Sequence, residues 1–169
     1  AKQAIEEALR PLEGASLKIY QDGLVAEGEV GKKIVAEAAR RGSRNHQIVL
    51  DLLRRGAELR LTEDVALLLE ERQRLLDLAQ PPSTPTGPPP PPPLTEERDR
   101  FVARRINDTL REGETGILFM GAYHDIPAHL AQDIKVIALK EPSQVRAYFK
   151  GLLTERNEAV LGVLADYLA

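Results

Sequence analysis

The chain has no cysteine, no tryptophan, one methionine and only three histidines in 169 residues. The missing cysteines exclude disulfides and thiolate metal sites, which fits a reducing compartment. Aromatic residues are 4% of a chain that is 43% hydrophobic, so its core must come from Leu, Ile, Val and Ala. No apolar run approaches the roughly 20 residues that cross a bilayer. The opening AKQAIEEALR also lacks the apolar centre of a signal peptide. These two absences make the cytoplasm the expected compartment and leave no membrane partner. Formal charge is only −3, which argues against nucleic acid as a partner. No P-loop, G-x-G-x-x-G, G-x-S-x-G or HExxH pattern is present, so no motif of that kind names a reaction.

Proline is sparse except in one place. Residues 81–93, PPSTPTGPPPPPP, hold nine of the twelve prolines. Without N–H groups such a run joins neither helix nor sheet, and it favours polyproline II. It is expected to act as a linker between residues 1–80 and 94–169, either as a semi-rigid spacer or as a ligand for an aromatic-lined groove. No basic residue closely flanks the run to give it specificity, which favours the spacer.

The first half opens with an expected helix over 2–10, ended by Pro11. Ser16 to Tyr20 alternates like a strand and runs into Asp22-Gly23, which is strong turn chemistry. A helix is expected from about Val30 to Arg41, with Ile34, Val35, Ala38 and Ala39 inward. A second is expected over 44–55, capped by Ser43, with Ile48, Val49, Leu52 and Leu53 inward. Both end in Arg-Arg-Gly, which suits a helix C-terminus. An extended piece at 58–61 leads to Thr62-Glu63-Asp64, read as the cap and first turn of a helix reaching about Ala79. In the second half, Thr95 should cap a helix bearing Val102, Ile106 and Leu110 on one stripe and ending at Gly113. Residues 116–121 are apolar without alternation, as in a strand covered on both faces, and are taken as the central strand. A short helix over 127–132, a strand over 134–139, a helix from Pro142 to about Leu153 and a final helix over 158–169 complete the pattern.

Strands alternating with helices predict an α/β fold: a small three-layer Rossmann-like domain with a parallel sheet of three to four strands. Neither half has enough strands to close a sheet alone. Strand 16–20 is therefore expected to pair in parallel with strand 116–121, and the two halves to form one domain.

Ligands of parallel α/β sheets gather beyond the carboxyl ends of the strands. That rule selects Asp22 and Gly23 after the first strand, and Gly121, Tyr123, His124 and Asp125 after the central one. Gly121 is expected to let the backbone turn without a Cβ. An imidazole beside a carboxylate is a standard acid–base unit, so His124 with Asp22 or Asp125 is the leading pair. The competing reading makes His124 a helix cap or a backbone hydrogen-bonding residue. Asn45, at the corner formed with Gly42-Ser43-Arg44, could hold an anion at a helix N-terminus or simply cap that helix. Glu63-Asp64 and His129 are weaker metal candidates. Arg40, Arg41, Arg44, Arg54, Arg55 and Arg60 are interleaved with acids and read as a solvated surface, because residues 1–80 carry 13 basic against 14 acidic groups.

Arg98-Asp99, Val102-Ala103, Ile106 and the run Gly121-Ala122-Tyr123-His124 together resemble the C-terminal signature of the superfamily containing TraB-like proteins, ChaN-like haem-binding proteins and erythromycin esterases. There an R-D/N…M-A…I helix leads to a strand ending in G-x-x-H. The resemblance covers about 28 residues and implies that Arg98, Asp99, Gly121 and His124 lie at or near an active or ligand site. The early G-x-x-H and nearby glutamate of that superfamily's hydrolases have no counterpart here, and Asp22-Gly23 stands at that strand end instead. Outside the proline run, the phrases YQDGL, GSRN, GAELRLTED and GAYHDI also look similar to a bacterial family of conserved proteins without an assigned activity.

These readings give a hydrolase-like or ligand-binding site at the carboxyl edge, with catalytic candidates His124, Asp22, Arg98 and Asp99. Arg98 would orient an anionic or carbonyl oxygen, and His124 would act as base. The alternative is a non-catalytic binding or scaffold module that keeps the fold without the chemistry. The partner expected is a small molecule or a protein, and a homo-oligomer stays open. No cofactor or metal is specified.

Overall fold

The computed structural model describes residues 7–12, 16–78 and 94–154, with residues 162, 163 and 165. The proline run and nearly all of the expected last helix lie outside the described residues, as does most of the expected first helix. In chain order the elements are β1 (Leu17–Gln21), α1 (Gly28–Arg40), α2 (Arg44–Arg54), β2 (Glu58–Arg60), α3 (Val65–Leu78), α4 (Thr95–Thr109), β3 (Thr115–Phe119), a 3-10 turn (Ile126–His129) and α5 (Pro142–Thr154). The three strands form one parallel sheet in the order β2-β1-β3. The protein is thus a small α/β fold. β1 and β3 pair as the sequence predicts, with Ile19 opposite Ile117 and Gln21 opposite Phe119.

The sheet order corrects one expectation. β1, not β3, is central, and all five of its residues are buried. β3 lies on an edge, with Thr115 and Gly116 exposed. A second correction concerns residues 134–139, which form no strand. Ile134 packs partly against the core, but Val136, Ile137 and Leu139 are exposed, Ile137 at 71%. Strand propensity is realised only against a neighbouring strand. The 3-10 turn and the bend closed by Ile134 N–H on the Ala131 carbonyl (3.1 Å) precede this segment, which joins no ladder.

Two apolar clusters use the alternation of β1, because successive side chains point to opposite faces. Leu17 and Ile19 join Val35 of α1, Ile48, Val49 and Leu52 of α2, Leu59 and Ile117. Tyr20 turns the other way, to Val102, Ala103 and Ile106 of α4 and to Ile126. Helices therefore cover both faces. The apolar spacing of α1, α2 and α4 predicts these faces closely, although Ile34 is more exposed than its position suggests. Gly42 and Gly56 end α1 and α2 with φ of 93° and 98°. Ser43 N–H reaches back to the Ala38 carbonyl and Ala57 N–H to that of Leu52, as expected for a left-handed glycine cap.

Several predicted caps are replaced. Ser43 occupies the cap position of α2, but its hydroxyl bonds His46 Nδ1 at 2.7 Å. Thr95 lies within α4 and Leu94 precedes it, while α4 ends at Thr109, short of Gly113. Thr62 does not cap α3. Its hydroxyl donates to the Gln21 carbonyl (2.5 Å) and accepts from Leu24 N–H (3.2 Å). Asp64 caps α3 instead, accepting from Ala66 N–H at 2.8 Å.

Polar ties hold the elements together. Lys18 of β1 is buried between Glu58 of β2 (2.9 Å) and Glu114 before β3 (3.2 Å). Glu27, at the start of α1, accepts from Leu61 N–H (3.1 Å), Arg60 (3.5 Å) and Arg105 of α4 (2.5 Å). Burial would raise the Glu27 carboxyl, but these bonds and the two guanidinium charges hold it below its usual value of 4.5. A carboxyl depressed on folding contributes stability above its unfolded pKa and loses it as pH falls through the folded value. The gap in urea midpoint between wild type and Glu27→Gln should therefore be widest at neutral pH and close below about pH 4.5. Gly31 gives a second check on packing. A Cβ there would stand 2.4 Å from the Ala26 carbonyl oxygen and 3.0 Å from Leu59. Gly31→Ala should lower unfolding free energy by about 2 kcal/mol in urea titration, the usual cost of overpacking a buried contact.

Candidate functional site

The turns after β1 and β3 open on the same edge of the sheet, because the strands are parallel. Asp22 N–H donates to the Phe119 carbonyl at 2.8 Å, which ties the two turns together at their first residue. Gly23 takes φ of 78°, and Leu24 N–H returns to the Gln21 carbonyl at 3.2 Å. The loop after β2 is fastened to the same turn: the N–H groups of Thr62 and Glu63 both donate to the Leu24 carbonyl, at 2.9 and 3.1 Å. That fastening buries the Glu63 side chain to 1% exposure.

α4 supplies the opposite wall. Asp99, Val102, Ala103 and Ile106 form its buried stripe, so one carboxylate faces inward with the apolar residues. Asp99 Oδ1 meets His124 Nδ1 at 2.5 Å, and Asp99 Oδ2 accepts the Asp125 N–H at 2.7 Å. The carboxylate thus grips both the ring and the backbone of the turn. His124 N–H closes that turn on the Gly121 carbonyl at 3.2 Å. The His124 side chain is 13% exposed, so it is largely enclosed rather than standing in an open cleft. A carboxylate accepting from Nδ1–H sets the tautomer of a neutral imidazole and leaves the Nε2 lone pair outside that bond.

Gly121 has no left-handed φ. A Cβ at Gly121 would lie 3.5 Å from His124 Cδ2 and 3.8 Å from Asp22 Oδ2, ordinary contacts in a notch between the imidazole and the carboxylate.

Arg98 precedes Asp99 and points into a different set of partners. Its Nε and Nη2 bind Glu63 at 3.2 and 2.5 Å, its Nη1 binds Glu71 of α3 at 2.9 Å, and Nη2 lies 3.6 Å from Asp22. The Glu63 hydrogen bond, with the pull of Glu71 and Asp22 outweighing desolvation, raises the guanidinium pKa and keeps it charged. All three nitrogens face protein carboxylates. Three of the five guanidinium N–H groups are thus taken by Glu63 and Glu71, which fastens the β2 loop and α3 to α4. Glu63 is likewise an ion-pair partner and not a helix-end acid.

His124, Asp99, Asp22, Gly121 and Arg98 thus gather at one edge. Asp125 joins through its backbone while its side chain is exposed, and Tyr123 stands exposed at the turn. Asn45 is exposed on the first turn of α2, outside this group. His129 ends the 3-10 turn, its carbonyl accepting from Asn107 at 3.4 Å. Among the described residues no three His, Asp or Glu side chains are arranged to hold a metal. Two contacts escaped sequence reasoning: Glu71, and Arg146 of α5, whose Nη1 donates to the Ala122 carbonyl at 2.5 Å. Neither carries a local signal, because each partner lies more than twenty residues away.

No family model, curated protein or solved structure matches the chain.

The buried pair yields a test. Removing one partner of a buried ion pair strands the other's charge, so Arg98→Ala should cost about 3–5 kcal/mol in denaturant unfolding. The double variant Arg98→Met, Glu63→Leu should recover most of that loss, since an apolar pair strands no charge.

Proposed function

We propose that the carboxyl edge of the sheet is a hydrolase-like, ligand-binding site of the TraB/ChaN type, in which Asp99 and His124 form a general-base dyad. The observation that carries this reading is the bond from Asp99 to His124 Nδ1, which leaves Nε2 unclaimed by any described hydrogen bond. In this reading Asp99 holds the tautomer and stabilises the imidazolium that forms when Nε2 takes a proton from water or a substrate hydroxyl. Asp22, about one-third exposed and weakly tied to Arg98, faces the same notch and accepts a hydrogen bond from the bound molecule. Gly121 keeps the notch open. The substrate is a small molecule that offers hydrogen-bond donors to Asp22 and His124.

One observation favours the second reading, a binding module without turnover. Arg98, the cation expected to orient an anionic or carbonyl oxygen, is already engaged by Glu63 and Glu71. Hydrolysis needs a donor for the developing oxyanion, and binding needs no such group.

The test pairs His124→Asn, which keeps a donor for Asp99, with Gly121→Val, which fills the notch. His124→Ala is a poorer probe, because stranding the buried Asp99 oxygen costs about 1–3 kcal/mol by itself. Against a panel of ester, amide and phosphoester substrates, His124→Asn should lower kcat at least 100-fold, the usual contribution of a general base, with Tm nearly unchanged. Gly121→Val should abolish both binding and turnover. Binding lost in Gly121→Val but kept in His124→Asn, with no turnover in wild type, selects the binding module. Binding or turnover indifferent to both changes removes the site from this edge.

A further inference from the structure

We infer that Arg146 of α5 is a positioning residue for His124. The inference rests on the proposed reading only in taking His124 as the working group. Residues 121–124 form a β-turn closed by His124 N–H on the Gly121 carbonyl at 3.2 Å. Ala122 and Tyr123 are its corner residues, and the peptide between them is the unit that rotates when a β-turn changes type. Arg146 donates to the carbonyl of that peptide, at 2.5 Å from Ala122 O. No other described hydrogen bond holds the corner, and Tyr123 is 66% exposed. The turn is thus gripped at three points. Phe119 and Asp22 hold its entrance, Asp99 holds its exit through His124 Nδ1 and Asp125 N–H, and Arg146 holds its middle. The first two grips leave the corner peptide free to rotate. Rotation alters the approach of the chain to His124 and with it the geometry of a short hydrogen bond to a buried carboxylate, which weakens steeply off line. A guanidinium suits this task, because a charged donor binds a carbonyl more strongly than a neutral one.

The experiment follows the His124 Nδ1–H proton by NMR in the full chain without ligand, comparing wild type, Arg146→Ala and Arg146→Lys. Expected is a low-field Nδ1–H signal in wild type whose exchange with water accelerates about tenfold in Arg146→Ala, the size of one lost charge-assisted bond. Arg146→Lys, which keeps a charged donor, should restore most of the protection. An unchanged signal and exchange rate in Arg146→Ala would overturn the inference. So would a loss that lysine does not restore, since it would trace the effect to the packing of α5. Should Arg146→Ala fail to fold, Arg146→Gln makes the same comparison with a neutral donor. Because the readout needs no substrate, absence of turnover in wild type counts against the proposed function and leaves this result intact.

Discussion

β1 is the strand on which everything else is hung. Among the described strands it alone has a partner on each side, and its five residues are buried. A buried strand must satisfy its backbone groups through neighbouring strands. One neighbour, β2, precedes the proline run and the other, β3, follows it. The segments on either side of that run therefore share one sheet. The same parallel pairing sends the ends of β1, β2 and β3 to one edge, where the turns they feed can meet.

What gathers at that edge is an excess of carboxylates held by one guanidinium. Glu63, nearly solvent-free, demands a cation, and Arg98 answers it while also reaching Glu71 and Asp22. Ion pairs of this kind contribute less to stability than to arrangement, since desolvation offsets much of the attraction. Here the arrangement is informative. Arg98 and Asp99 are adjacent on α4 yet serve opposite walls: the arginine fixes the loops of the first half, and the aspartate fixes the histidine turn of the second. The candidate site is thus assembled by one helix that reads both halves of the chain. Outside it, the cationic clusters on α1 and α2 pair with acids on their own helices, Arg41 with Glu37 and Arg54 with Asp51, as a solvated surface does. No helix among the described residues is long and apolar enough to cross a membrane.

Much of this was legible in the residue order, and the failures share a cause. Helices α1, α2 and α4 follow from apolar residues at helical spacing, and the ends of α1 and α2 from Arg-Arg-Gly. β1 and β2 follow from alternation and from the Asp-Gly turn. The errors arise where a local pattern met a distant competitor. Thr62 has the chemistry of a helix cap, but the Gln21 carbonyl, forty-one residues away, claimed its hydroxyl. Glu63 looks like an acid at a helix start, but burial required a counter-ion and Arg98 supplied it. Residues 134–139 have the composition of a strand and no ladder to join. β3 reads as central because its residues are apolar, yet its place in the sheet depends on what pairs with its outer edge.

The amino-acid sequence alone determined the α/β class, the parallel pairing of the first strand with the one after α4, and the candidacy of His124 at a strand end. These depend on periodicity, turn chemistry and connectivity, which act over a few residues. Tertiary structure decided which carboxylate serves His124, that Arg98 is spent on Glu63 and Glu71, and that Arg146 reaches the histidine turn. Such choices are made by side chains far apart in sequence competing for the same buried charge or carbonyl, and only the packed chain shows which one arrives.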